Sequence, residues 1–110
     1  MTWEYLGGFF DGEGNILFYR NQNKNCAEYP RIYMSQSFER GRRLFEEIRP
    51  FLLEEGIRPN KPVTVQKAIG GPEHRLIITG RKNCVRFLLA IMPYLRIKLD
   101  EAGMMLLRLT

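Results

Sequence analysis

Leu6-Gly7-Gly8-Phe9-Phe10-Asp11-Gly12-Glu13-Gly14 is the stretch on which the reading of this chain turns. From Trp3 to Phe10 every residue but Glu4 is apolar or glycine, which predicts a buried helix. The acidic, glycine-rich Asp11-Gly12-Glu13-Gly14 predicts that this helix stops abruptly. Glycine inside a helix costs about 0.8 to 1 kcal/mol relative to alanine, so adjacent Gly7 and Gly8 are a poor choice for an isolated helix. They make sense where another backbone must come very close.

Beyond this segment the periodicity changes to two. Asn15 to Asn21 reads as a strand with Ile16 and Phe18 on one face, and the polar run 21–25 as a hairpin turn. From Tyr29 a second strand places Ile32 and Met34 on one side and Arg31, Tyr33 and Ser35 on the other. Residues 40–55 then take helical spacing, with Pro50 expected to kink or split the helix and Gly56 to cap it. A second strand pair follows, Pro62 to Ala68 and Glu73 to Thr79, joined through Ile69-Gly70-Gly71-Pro72. In it Val63 and Val65 alternate with Thr64 and Gln66. A helix from about Arg81 to Ile91 is interrupted at Pro93, and a last amphipathic segment runs from about Ile97 to Leu109. The order α-β-β-α-β-β-α-α predicts an α+β fold, a four-stranded antiparallel sheet covered by helices on one face and open on the other.

The totals narrow the function classes. With 110 residues the chain is long enough for one domain and too short for two, so residues 1–110 are expected to form one folding unit. Hydrophobic residues at 45% and charged residues at 26% are ordinary for a packed core and exclude a disordered chain. Seventeen Lys plus Arg against twelve Asp plus Glu give a formal +5, which favours polyanionic partners without identifying one. Cys26 and Cys84 have neither zinc-site nor redox-pair spacing, which favours a reduced, intracellular setting. No apolar run approaches the ~20 residues of a membrane span, so a soluble protein without membrane association is expected.

Leu6 to Gly14, extended through Tyr5 and Asn15-Ile16, resembles the LAGLIDADG motif of homing endonucleases: Leu, small, Gly, two apolar residues, acid, small, acid, Gly. The resemblance also covers the order of elements. It implies a site-specific DNA endonuclease whose open sheet face forms a saddle for DNA, built as a homodimer because this chain carries a single motif. Two motif helices would meet through Leu6, Gly7, Gly8 and Phe10, bringing paired acids together, which is unfavourable without a cation. Glu13 takes the metal-binding position, where Asp is commoner, with the Gly12 carbonyl as a further ligand; Asp11 would cap or hydrogen-bond near the helix end. The implied metal is Mg²⁺, with Mn²⁺ able to substitute and Ca²⁺ supporting binding without cleavage. No small-molecule cofactor is implied.

By the same resemblance Gln36 matches a water-positioning residue and Arg40 a basic one. Lys98, in Pro93-Tyr94-Leu95-Arg96-Ile97-Lys98, resembles the family's basic residue before the last helix, which implies that it stabilises the transition state or assists proton movement through solvent. The catalytic set is thus Glu13, Gln36, Arg40 and Lys98. For DNA contact, strand alternation offers Tyr19, Asn21, Tyr29, Arg31, Tyr33, Ser35, Thr64, Gln66 and Arg75 to base edges, with turn residue Asn23 beside them. Lys24, Lys61 and Lys67 would meet phosphates. Two subunits end to end, at ~27 Å per strand, would cover roughly 20 base pairs of a near-palindromic site. The alternatives are a catalytically silent relative, acting as an RNA maturase or DNA-binding regulator, and a dimeric α+β module for a small molecule or a protein.

Overall fold

The computed structural model describes residues 1–20 and 27–110. Helix α1 spans Trp3–Glu13 and opens on Thr2, whose hydroxyl accepts from the Tyr5 N–H at 3.1 Å. It runs on through Asp11-Gly12 rather than stopping before them. The Gly14 N–H still bonds the Phe10 carbonyl, so Asp11 and Glu13 leave from the last helical turn itself.

Strands β1 (Gly14–Arg20) and β2 (Glu28–Ser37) follow, then helix α2 (Phe38–Glu54), strands β3 (Val63–Gln66) and β4 (Pro72–Thr79), helix α3 (Arg81–Ile91), a 3-10 turn (Met92–Tyr94) and helix α4 (Leu99–Leu109). The sheet is antiparallel throughout, in the order β1-β2-β4-β3. One face is covered: Ile32 and Met34 from β2 and Leu76 and Ile78 from β4 join Leu6, Phe10, Phe45, Ile48, Leu52, Phe87, Leu88 and Ile91 of the helices in a single core. Trp3 and Phe10 each meet the Phe87 ring edge-on, which ties α1 to α3.

Three local expectations change. Helix α2 continues through Pro50, because Pro50 and Glu46 both face solvent and water can take the carbonyl that proline cannot serve. It ends on Gly56 (φ +79°): the Gly56 N–H bonds the Leu53 carbonyl and the Ile57 N–H the Leu52 carbonyl, with Ile57 buried. Strand β3 is shorter than its sequence pattern. The last helix starts at Leu99 rather than Ile97, since the backbone N–H groups of residues 96–98 are taken by Asp11. No helix among the described residues is long and apolar enough to cross a membrane.

Candidate functional site

The end of α1 carries a convergent set of hydrogen bonds centred on Asp11. The Asp11 carboxylate accepts from the N–H of Arg96 at 3.0 Å, of Ile97 at 2.9 and 3.0 Å, and of Lys98 at 2.9 Å. Partial desolvation pushes its pKa up, but the three backbone donors and the nearby Lys98 charge outweigh that and hold it below the usual carboxylate value. Lys98 closes the loop by donating from Nζ to the Asp11 carbonyl oxygen at 2.7 Å. An open hollow results, lined by Gly12, Glu13, Asn15, Ser35, Lys98 and Glu101. Glu13 is exposed at its rim and sits where helix carbonyls have no intrahelical partner. These are hard oxygen donors, the set that Mg²⁺ or Ca²⁺ prefers. Among the described residues no cluster of three or more His, Cys, Asp or Glu side chains could hold a metal within one chain.

Gln36 and Arg40 do not join Glu13 and Lys98. They line a second hollow with Tyr5, Phe9, Glu39, Arg43, Leu44 and Glu47, and this hollow shares no lining residue with the first. The Gln36 Oε1 accepts from the Ser37 N–H at 3.1 Å, and the Arg40 guanidinium lies 5.8 Å from the Phe38 ring centroid. Phe38 has φ +67°, a left-handed conformation that an aromatic residue rarely adopts. Its ring rests on Gly71 of the β3–β4 connection, where a Cβ would come within 2.9 Å.

The register settles which residues share the open sheet face. Asn15 pairs with Tyr33, Leu17 with Arg31 and Tyr19 with Tyr29; Ser35 pairs with Arg75 and Tyr33 with Ile77. The Tyr19 and Tyr29 rings lie 5.6 Å apart, and Arg31 and Arg75 each place a guanidinium 5.6 Å from the Tyr33 centroid. On β3, however, Val63 pairs with Arg75 and Val65 with Glu73, so the valines are on the open face. Thr64 and Gln66 point the other way, and the Thr64 hydroxyl meets His74 Nδ1 at 3.1 Å. The expectation for those two is corrected: β3 is an exposed edge strand, and its pairing partner rather than its apolar pattern sets its orientation. Lys67 is bound to Glu73 at 3.0 Å, and Lys61 is exposed before β3. Asn21, Asn23 and Lys24 lie outside the described residues. Sequence reasoning missed Glu73, an acid almost buried on this basic face, because nothing in an alternating strand marks which polar residue will be enclosed.

The model of the LAGLIDADG-like domain matches residues 2–92. The chain belongs to the LAGLIDADG-like domain family. Its fold is that of the family's solved structures. The homing endonuclease I-CvuI, solved with the I-CreI target DNA in 2 mM Mg and the DNA not cleaved, matches with a TM-score of 0.73 and 17% identity over 97% of this chain and 64% of that one. The archaeal intron-encoded homing endonuclease I-Vdi141I, complexed with DNA, matches with a TM-score of 0.63 and 18% identity over 93% of this chain and 62% of that one. The LAGLIDADG meganuclease I-CpaMI, bound to uncleaved DNA, gives 0.69 and 17% over 99% and 36%. The chain therefore spans less than two thirds of the length of these proteins. Among curated protein sequences none matches it.

Within the LAGLIDADG helix the two adjacent glycines serve different faces. Gly7 is buried, and a Cβ there would lie 2.4 Å from the Tyr94 Cβ and 3.0 Å from the Tyr94 carbonyl oxygen. The backbone it admits is that of its own chain. Leu6 and Phe10 are fully enclosed in the core. This corrects the expected interface: Leu6, Gly7 and Phe10 are used internally, and the exposed face of α1 presents Tyr5, Gly8 and Gly12. A Cβ on either of those glycines would meet nothing within 4 Å.

Proposed function

We propose that this chain is a single folding unit that acts as one half of a homodimeric, site-specific DNA endonuclease. The observation that carries the reading is the meeting of Glu13 and Lys98 in one hollow at the end of the LAGLIDADG helix, fixed by the Asp11 hydrogen bonds. A second copy packs its α1 against Tyr5, Gly8 and Gly12, which brings two Glu13 side chains together and lets the hollow of Gln36 and Arg40 adjoin the paired acids.

In this reading Glu13 and the Gly12 carbonyl hold a divalent metal, Mg²⁺ in use, which when bound supports attack of water on the phosphorus and departure of the 3′ oxygen. Lys98 spends one N–H on the Asp11 carbonyl and keeps its others for the phosphate, where its charge offsets what develops in the transition state. Gln36 orients water and Arg40 contributes positive charge. Tyr19, Tyr29, Arg31, Tyr33, Ser35 and Arg75 face the major groove, and Lys61 meets phosphate. Both strands of a long, near-palindromic duplex are cut, leaving 3′ overhangs.

The test is incubation with a randomised plasmid library and Mg²⁺, comparing wild type with Glu13→Gln. Site-specific double-strand breaks are expected from the wild type, while the variant binds the same site and leaves it intact. Wild type that cuts nothing overturns the enzyme, and a monomer at micromolar concentration overturns the dimer. A second reading, DNA binding without cleavage, draws on the separation of Gln36 and Arg40 from Glu13 within one chain. It predicts the same selected site from both proteins and breaks from neither.

A further inference from the structure

Glu73 is out of place on a surface meant for a polyanion. It lies on the open face between Val65 and Ser37, and its side chain is only 11% exposed. A carboxylate there opposes phosphate and earns little as a solvent-screened ion pair. Its geometry supplies a reason. One oxygen, Oε2, accepts from the Nε–H of Arg75 at 2.8 Å and forms an ion pair with Nη2 at 2.8 Å, and the other, Oε1, is held by Lys67 Nζ at 3.0 Å. The Arg75 plane is thereby fixed along one edge, and the Tyr33 ring lies beside it, 5.6 Å from centroid to Cζ. The opposite edge, carrying the Nη1 hydrogens and the second Nη2 hydrogen, has no partner among the described residues. It offers two parallel donors, the pattern that matches O6 and N7 of guanine in the major groove.

We infer that Glu73 is a specificity-determining positioning residue, which holds Arg75 so that its free edge reads a guanine in each half of the DNA site. The inference rests on the DNA-binding reading above and adds the base and the device. Arg31 is the internal contrast: it flanks the same tyrosine at the same distance, and among the described residues it has no carboxylate to orient it and keeps an enclosed Nε without a partner. The position read is an inner one, because Arg75 pairs with Ser35 and Ser35 lines the hollow that holds Glu13.

Affinity selection from a randomised duplex pool in Ca²⁺, followed by sequencing, tests this with the whole chain. Wild type is expected to enrich guanine at one inner position per half-site. Arg75→Lys, which keeps the charge and loses the fork, should lower that preference roughly tenfold or more. Glu73→Gln should lower it several-fold at the same position only, with affinity for random duplex unchanged or higher because a negative charge is gone. Replacing that guanine by 7-deazaguanine should weaken wild type more than it weakens Arg75→Lys. Undiminished guanine preference in Glu73→Gln, or an equal loss at every position as a merely structural role predicts, overturns the inference while leaving the DNA-binding reading intact. Should Glu73→Gln melt early, guanine preference retained by Arg75→Lys overturns it alone. Absence of any sequence-selective duplex binding by wild type overturns both.

Discussion

Replacing Asp11 by Asn removes one atom's charge and tests the joint between the two ends of the chain. The carboxylate receives the N–H groups of Arg96, Ile97 and Lys98 on its two oxygens. Asparagine offers a single acceptor oxygen and turns an NH2 group toward at least one of those donors. Hydrogen bonds to a charged group contribute roughly 1.5 to 3 kcal/mol each when sheltered. This carboxylate is half-exposed, so solvent screening reduces the expected loss for the set to about 2 kcal/mol. For a chain of this size that is a fall in melting temperature of about 10 °C, read by circular dichroism near pH 6. The pH dependence gives a second readout. Because the folded pKa lies below the ordinary value of 3.8, the stabilisation is present above that value and is lost as the pH falls through the lower folded one. The gap between wild type and Asp11→Asn should therefore shrink as the pH is taken below about 4. A melting temperature within about 2 °C of wild type at pH 6, or a gap equally large in acid, refutes the reasoning.

The adjacent glycines should respond in opposite directions: Gly7→Ala forces a methyl against Tyr94 and should cost about 1 to 3 kcal/mol, whereas Gly8→Ala should be neutral or stabilise the helix by up to about 1 kcal/mol. In the proposed dimer Gly8→Leu should yield a folded monomer by sedimentation. Pro50→Ala restores a helical hydrogen bond on the solvent side of α2 and should raise stability by about 1 kcal/mol, seen as a higher urea midpoint. Cys84 is fully buried and its thiol is pushed up to about 12 by desolvation, so mass spectrometry should find it unalkylated in the native protein and modified once urea unfolds the chain.

The element order was legible because its signals are local. Alternation marked β1 and β2, the rows of Leu44, Phe45, Ile48 and Leu52 marked α2, and Gly56 marked its end. The errors arose where a partner elsewhere in the chain decides. Val63 and Val65 look like a core face, yet β3 lies at a sheet edge and its register with β4 turns them outward. Pro50 looks like a break, but its exposure lets water replace the missing donor. In the site, Lys98 was legible through the motif it resembles and not through any pattern of its own. That Gln36 and Arg40 line a separate hollow follows from the path of β2 past the end of β1, which pairing reveals and spacing does not.

The structure also changes what the motif glycines are for, and that bears on the chemistry. Gly7 lets α1 close on Tyr94, just before the segment 95–98. That approach brings residues 96–98 within reach of Asp11, which gathers their N–H groups. The same gathering places Lys98, 87 residues away in sequence, with Nζ on the Asp11 carbonyl and beside Glu13. A small residue, the first acid and a distant lysine thus form one mechanical unit, and the second acid is left projecting from it. A substitution at Gly7 should accordingly displace Lys98 as well as destabilise the chain. Gly8, facing outward one residue later, lies outside that unit, so in the proposed dimer the pair would separate the internal architecture of the site from its assembly.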